Sequence, residues 1–268
     1  IWPVKIMECH KSGVPLFMCN AQYPSKSFAR DTRGHGLRTE LMRGFAGAFV
    51  KSELQRDRFA SVGVPNIRVT GETRFDQPIP PAHVAAGQAA RLWLTPDRPV
   101  IALASVVAGE DEIYLAGIGA SLAAHRTKGL PVPLFVYVPR APERFDETAA
   151  LIAALGSKAA RRGAIFSADL QGQGKAPDID ILIGDSLGEM YLYLTMADRA
   201  LVGGGFTPKG AHNIIEPLAL KKPAIVGPDI FIFKYPAVDE IAAGLCLHLQ
   251  PADLPIPAFG PDGWLGPP

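Results

Sequence analysis

From residue 99 onward, short apolar runs alternate with longer segments whose apolar residues recur at helical spacing. The runs at 100–104, 134–138, 181–184, 200–202 and 224–226 lack the apolar–polar alternation of a half-exposed strand. Continuous apolar strands need both faces covered, so the pattern predicts a doubly wound parallel α/β sheet. Helices are expected at 110–125, 143–155, 187–196, after Asn213, and at 238–243. Residues 1–76 repeat the alternation in shorter form, with strands at 15–19, 48–50 and 67–70 and helices at 37–45 and 53–62. The proline-rich stretch Gln77-Pro78-Ile79-Pro80-Pro81 stiffens the chain and removes backbone donors. It predicts a linker at 77–82 between a smaller first domain, 1–76, and a larger second one, 83–268. Two such units would hold a ligand in a cleft between them, at the C-terminal ends of their strands. Beyond Pro251 the chain is rich in Pro and Gly and is expected to be irregular.

Composition narrows the class. Of 268 residues, 48% are hydrophobic and 20% charged, which supports a substantial core, and a net charge of +1 gives no pull toward nucleic acid. Cys9, Cys19 and Cys246 form no Cys-x-x-Cys pair, and an odd number fits a reducing compartment better than a disulfide framework. No apolar stretch is long enough to span a membrane, and no signal peptide is visible. The sequence starts at Ile1 without methionine and is expected to be a fragment. Lys26, Arg30, Arg33, Arg38, Arg43, Lys51, Arg56 and Arg58 crowd one early region against Asp31, Glu40, Glu53 and Asp57. That region reads either as a solvated helix face or as a surface for an anionic partner.

The densest chemistry lies at Gly203-Gly204-Gly205-Phe206-Thr207-Pro208-Lys209-Gly210-Ala211-His212-Asn213-Ile214-Ile215-Glu216-Pro217, between a predicted strand and a predicted helix. A glycine-rich turn running into a helix start presents backbone N–H groups to an anion. Lys209 and His212 would add donors, and Glu216 could accept from ribose hydroxyls. The order Lys209-Gly210-Ala211 is not a Walker A loop, and the turn comes too late in the chain for a dinucleotide fingerprint. The pattern therefore reads as a nucleotide or phosphosugar site, or as a plain strand-to-helix turn.

Three other junctions sit at predicted strand ends. Ser105 to Glu112 reads either as a phosphate contact by Ser105 or as ordinary acids in a first helical turn, with Glu110, Asp111 and Glu112 favoured by the dipole. Arg140, set between Pro139 and Pro142, suits fork-like phosphate binding or a surface ion pair. Ser186 and Glu189 have the spacing of a capping box at the start of the helix expected from 187. Asp178-Ile179-Asp180 has the Asp-x-Asp spelling of metal-dependent transferases, but it directly precedes a buried strand and is read here as structural, with no metal. His10, His35, His83, His125 and His248 have no partners at ligand spacing and read as structural or exposed.

These junctions together resemble the 3-deoxy-D-manno-octulosonic acid (Kdo) transferase family, glycosyltransferases of GT-B fold. The resemblance runs through Trp2-Pro3, Asn20-Ala21 with Ser25-Lys26-Ser27-Phe28, Lys51-Ser52-Glu53, and Val69-Thr70-Gly71 with Phe75-Asp76. It continues in Val138-Pro139-Arg140 with Pro142-Glu143-Arg144-Phe145, and in Gly184-Asp185-Ser186 with Gly188-Glu189. It peaks at Gly203-Gly204 followed by His212-Asn213-Ile214-Ile215-Glu216-Pro217.

The resemblance implies a GT-B-like pair of Rossmann-like domains, the first partial and the second complete. It implies transfer of Kdo from CMP-Kdo to a lipid A precursor, without a metal or other cofactor, at the cytoplasmic face of the bacterial inner membrane with peripheral membrane contact. The donor side would comprise Ser105, Glu110, Arg140, Gly188, Glu189, Gly204, Lys209, Gly210, His212, Asn213 and Glu216. Within it, Arg140 and the turn at 210–213 would hold the phosphate, and Glu216 the ribose. Lys26, Arg30, Arg33 and Arg38 would face the anionic acceptor. The family's catalytic base is a glutamate upstream of the matched region, so no base is assigned here and the chain alone is expected to be inactive. Four matched positions depart from the family pattern: Val107 for an aromatic or histidine, Ala141 for histidine, Ala211 for glycine and Glu72 for asparagine. They leave two alternatives: a GT-B transferase or epimerase using another nucleotide sugar, and a non-catalytic nucleotide-binding module.

Overall fold

Residues 3–33, 37–208, 210–230, 241 and 244–250 are described by a computed structural model, the side chains of residues 37 and 38 excepted. Trp2, His35, Lys209, all but residue 241 of the helix expected at 238–243, and the tail after Pro251 lie outside the described residues, as does the side chain of Arg38. The chain divides into two units, Ile1–Gln77 and Pro78–Pro268.

The first unit runs α1 (Pro3–Lys11), β1 (Phe17–Ala21), α2 (Ser25–Thr32), α3 (Leu37–Met42), β2 (Gly47–Val50), α4 (Glu53–Ser61) and β3 (Ile67–Val69). Its strands pair in parallel in the order β1-β2-β3. Tyr23, Met42, Ala48, Val50 and Phe59 form its core, with Tyr23 stacked on Phe59 and edge-on to Phe28.

The second unit opens with α5 (Pro81–Leu94). It continues with β4 (Val100–Val106), α6 (Asp111–Lys128), β5 (Leu134–Pro139), α7 (Phe145–Ala154), β6 (Ala159–Arg161), α8 (Arg162–Ile165) and β7 (Ile181–Ile183). It closes with α9 (Met190–Met196), β8 (Arg199–Val202), α10 (Ile215–Ala219), β9 (Ala224–Val226) and β10 (Cys246–His248). Among the described residues its strands form one parallel sheet in the order β10-β9-β8-β4-β5-β7-β6. β4 and β5 lie at its centre, and alternate side chains feed two cores. Val100, Ala102, Leu134 and Val136 pack with α5 and α9 on one face, and Ile101, Leu103, Phe135 and Tyr137 pack with α6 on the other. Both faces are covered, which is why these strands read as unbroken apolar runs.

Several elements differ from the sequence expectation. β1 lies two residues later than the strand expected at 15–19. The linker expected through residue 82 is shorter, because α5 begins at Pro81, where a proline at the first helical position loses no intrahelical hydrogen bond. The sequence pattern did not reveal α1, α2, α5, α8, the edge strand β6 or β10; except for the 14-residue α5, these are short or edge elements with too few apolar positions for a period to emerge. α9 starts at Met190 rather than 187, and its N-cap is Glu189, with no side-chain cap hydrogen bond, so the capping box does not form.

Candidate active site: the carboxyl edge of the second sheet

Four loops leave the C-terminal ends of β4, β5, β7 and β8, and the described donor-side residues expected from the sequence lie on one of them or at the start of the helix that follows, except Ser105, which lies near the end of β4 itself. Parallel α/β sheets bind ligands at this edge because loops from neighbouring strands converge there. β4 itself is irregular near its end. Ser105 has φ +59, and the register of β4 against β5 shifts between Leu103 and Val106. A bulge of this kind re-aims the chain next to a site, and Ser105 is half-buried at it.

The glycine turn after β8 is built by contact. A Cβ on Gly203 would stand 2.5 Å from the Ser105 carbonyl oxygen, so only glycine lets the turn close against β4. Gly204 has φ +95, a left-handed conformation that disfavours any side chain. The sequence reading had the N–H groups of this turn facing an anion, whereas several of them are used within the fold. The N–H of Gly204 donates to both carboxylate oxygens of Glu110 at 2.8 Å, and that of Phe206 donates to Oε1 at 3.1 Å. Gly210 N–H donates to the Thr207 carbonyl, Ala211 N–H to that of Asp229 and His212 N–H to that of Gly203. These donors are spent inside the fold, because a loop packed against a buried sheet must satisfy its own backbone.

Glu110 is also displaced from its expected role at the cleft wall. It is fully buried, and besides the turn it accepts from Val107 N–H at 3.2 Å and from the Tyr114 hydroxyl at 3.0 Å. Burial and the neighbouring Glu110 charge hold the Tyr114 phenol well above its ordinary pKa.

The helix after the turn, α10, has only five residues, so its macrodipole is small. Asn213 Oδ1 accepts from Ile215 N–H at 3.1 Å, just ahead of this helix, whose N-cap residue is Ile214. His212, Asn213 and Glu216 are all half-buried. Glu216 is close enough to Tyr191 of α9 that, after burial, its charge helps to raise the Tyr191 pKa.

Arg140 is exposed at the end of β5, its backbone tied to β4 through Arg140 N–H to the Val106 carbonyl at 2.8 Å. The fork in this loop that is used internally is Arg144, which pairs with Asp111 and donates to the Val106 carbonyl at 3.1 Å. Glu189, expected on the donor side, forms a bidentate pair with the buried Arg162 at 2.7 and 2.8 Å and accepts from Ser186 Oγ at 2.5 Å. The Ser186 hydroxyl, expected at a helix cap, also meets the Tyr193 hydroxyl at 2.6 Å. Gly188 is exposed in this loop with φ +77. Asp178 pairs with Lys158, while Asp180 accepts from Arg126 and from Lys158 N–H. Both aspartates brace the N-terminal end of β7, away from the loop edge. No group of metal-ligating residues occurs among the described residues.

In the first unit, most of the basic region is locally paired. Arg43 bridges to Glu40, Arg56 to Glu53 and Asp57, and Arg30 to Asp31, while Arg58 donates to the Tyr23 carbonyl. Lys26, Arg30 and Arg33 remain exposed on or just after α2. A cavity of about 570 Å³ lies in this unit, lined by apolar Met18, Tyr23, Leu41 and Phe59 and by polar Ser27, Arg30 and Asp31. Sequence reasoning missed the Lys51–Glu72 pair, 2.6 Å apart, with the Glu72 side chain fully buried and a further donor from Asn20 at 2.8 Å. The departure at Glu72 was the signal that could have found it.

The family model for 3-deoxy-D-manno-octulosonic-acid transferase (kdotransferase) matches residues 1–77. A 3-deoxy-D-manno-octulosonic acid transferase of Bordetella pertussis is 40% identical over 255 residues, 94% of this chain and 56% of that protein. Its counterpart in Haemophilus influenzae is 29% identical over 235 residues, 87% of this chain and 52% of that protein. The chain thus spans about half the length of these relatives. Among solved structures, the C-terminal CMP-Kdo binding domain of WaaA from Acinetobacter baumannii matches with a TM-score of 0.53 at 29% identity, covering 63% of this chain and 81% of that one. UDP-GlcNAc 2-epimerase from Methanocaldococcus jannaschii, at 15% identity, matches with a TM-score of 0.53 over 92% of this chain and 63% of its own, a likeness of fold alone. The architecture is that of the GT-B fold class, with parallel, Rossmann-like sheets. From the matched first unit, the 40% identity to the Bordetella protein over 94% of this chain and the likeness to the WaaA domain, it follows that the chain belongs to the 3-deoxy-D-manno-octulosonic acid (Kdo) transferase family.

Proposed function

We propose that the second unit binds the donor nucleotide CMP-Kdo at the carboxyl edge of its sheet, and that the whole protein transfers Kdo to a lipid A precursor. The observation that carries this reading is the placement of Arg140 after β5 and of His212, Asn213 and Glu216 after β8, the two strands that flank β4, in a chain 29% identical to a CMP-Kdo binding domain. Arg140 supplies a fixed positive charge for the donor phosphate, and the Asn213 amide a neutral donor beside it. Glu216 accepts from the ribose hydroxyls. With the amides of Gly204, Phe206, Gly210, Ala211 and His212 used internally, side chains carry much of the phosphate recognition.

In the reaction, an acceptor hydroxyl oxygen attacks the anomeric carbon of Kdo while the bond from that carbon to the phosphate oxygen breaks. CMP leaves with the bonding electron pair, and its phosphate gains negative charge as it does so. A cation aimed at that phosphate therefore counts most in the transition state. The hydroxyl proton passes to a general base, which is assigned to no residue of this chain. On the acceptor side, the exposed Lys26, Arg30 and Arg33 and the mixed apolar and polar cavity near them suit an anionic amphiphile. That chemistry fits action at an anionic membrane surface. Among the described residues no helix is long and apolar enough to cross a membrane.

Calorimetric titration of the chain with CMP, UMP and UDP tests the donor reading. CMP-selective binding is expected. Asn213→Ala and Glu216→Ala should each weaken it by about 0.5–1.5 kcal/mol, and Arg140→Ala by about 1.5–3 kcal/mol. A preference for UDP would instead mean a different nucleotide sugar, and no binding to any of the three would overturn the nucleotide reading.

A further inference from the structure

Two consecutive carboxylates at the start of α6 join three of the loops that make the candidate site, and neither is placed to touch a ligand. Glu110 reaches across from the β4 loop to the β8 turn. Its buried carboxylate takes the N–H groups of Gly204 and Phe206, together with Val107 N–H and the Tyr114 hydroxyl. Asp111 reaches the other way, to the β5 loop, accepting from the Tyr137 hydroxyl at 2.8 Å and pairing with Arg144. The Val106 carbonyl then takes both an Arg144 guanidinium N–H and the Arg140 backbone N–H. The loop bearing Arg140 and the turn leading to His212 and Asn213 are therefore fixed to one helix start.

We propose that Glu110 and Asp111 are positioning residues, a clamp that sets the β5 loop and the β8 turn in register so that Arg140, His212 and Asn213 converge before ligand arrives. This rests on the nucleotide-site reading for its consequence, but not for its geometry. Glu110 sits at the β4–β8 junction, where adjacent parallel strands bring the two loops side by side. Two of its donors, Val107 N–H and the Tyr114 hydroxyl, lie beside it in the chain, and two, the Gly204 and Phe206 N–H groups, lie 94 and 96 positions away, so the one carboxylate ties the β4 loop to the β8 turn. Phe206 closes the turn from its other side, edge-on to the Tyr114 ring with centroids 5.9 Å apart. Preorganisation of this kind raises affinity by removing the cost of ordering loops on binding.

The test uses the whole chain and the variants Glu110→Ala, Glu110→Gln and Asp111→Asn. Ser121→Ala serves as control, because Ser121 is equally buried on α6 but bonds only within that helix, to His125. Two quantities are read: CMP affinity, and hydrogen exchange at the amides of Gly204, Phe206 and Arg140. Glu110→Ala is expected to weaken CMP binding about 10- to 100-fold, the loss of several hydrogen bonds to a charged group. Glu110→Gln, which keeps one acceptor oxygen, should recover part of that loss, and Ser121→Ala should stay within about twofold of the parent. Amide protection should fall at Gly204 and Phe206 in the Glu110 variants and at Arg140 in Asp111→Asn, with that of β5 and β7 unchanged. If Glu110→Ala does not fold, Glu110→Gln carries the same comparison. Parent-like affinity together with unchanged protection at Gly204 and Phe206 would overturn the clamp. Lost protection in variants of a parent that binds no CMP would uphold the clamp and overturn the CMP reading instead.

Discussion

At the scale of single residues, the buried Lys51–Glu72 pair shows how strongly burial raises the stakes of one charge. Burial by itself would raise the Glu72 pKa. Hydrogen bonds from Lys51 and Asn20, the Lys51 charge and the Arg74 backbone N–H outweigh it and hold the carboxyl below its ordinary value. A carboxyl lowered in the folded state contributes stability above its unfolded pKa, near 4.5. That contribution is lost as pH falls through the folded value. Glu72→Ala leaves the Lys51 ammonium buried without its partner and should destabilise the first unit by about 3–5 kcal/mol at neutral pH, read by urea unfolding. In the parent, stability should decline below about pH 4.5 as Glu72 protonates, and the variant should lack this component. Glu72 stands where the family pattern has asparagine, and a neutral amide there would make a hydrogen bond rather than an ion pair.

At the scale of elements, the junction of β4 with the β8 turn decides the geometry of the site. The Ser105 bulge moves a carbonyl into the space that a Gly203 side chain would need. Gly203→Ala should therefore cost about 1–3 kcal/mol through forced displacement of the turn. It should also weaken nucleotide binding by moving His212 and Asn213, with thermal denaturation and calorimetry as the two readouts. Glu110 and Glu189 were legible in the sequence as acids near helix starts. Their chemistry was not, because a side chain beside a helix N-terminus looks the same whether it faces solvent, a ligand or a buried backbone. Only the pairing of β4 with β8 brings Glu110 to Gly204, 94 positions apart in the chain.

At the scale of the whole molecule, the chain forms two α/β units, and linkage provides a test of whether they divide the work. If the nucleotide site belongs to the second unit, CMP at about 100 times its Kd should stabilise that unit by about 2.7 kcal/mol. The first unit should be unmoved, as read by hydrogen exchange in β5 and β7 against β2. Equal protection of both units would place nucleotide contacts in the first unit as well. The sequence by itself determined the class of fold, the central strands of the second sheet and the position of the glycine turn. Continuous apolar runs between helices admit only a sheet covered on both faces, and a glycine triplet marks where the backbone must pass close to its neighbours. The sequence also carried the family, through His212-Asn213-Ile214-Ile215-Glu216-Pro217 and the motifs around it. What each polar group at those motifs does was decided by tertiary structure alone. The turn's amides face Glu110, Glu189 is held by Arg162, and Arg140 is left outward while Arg144 is drawn in. The reason is physical: a buried donor or acceptor must find its partner in space, and in a parallel sheet that partner lies on a neighbouring strand far away along the chain.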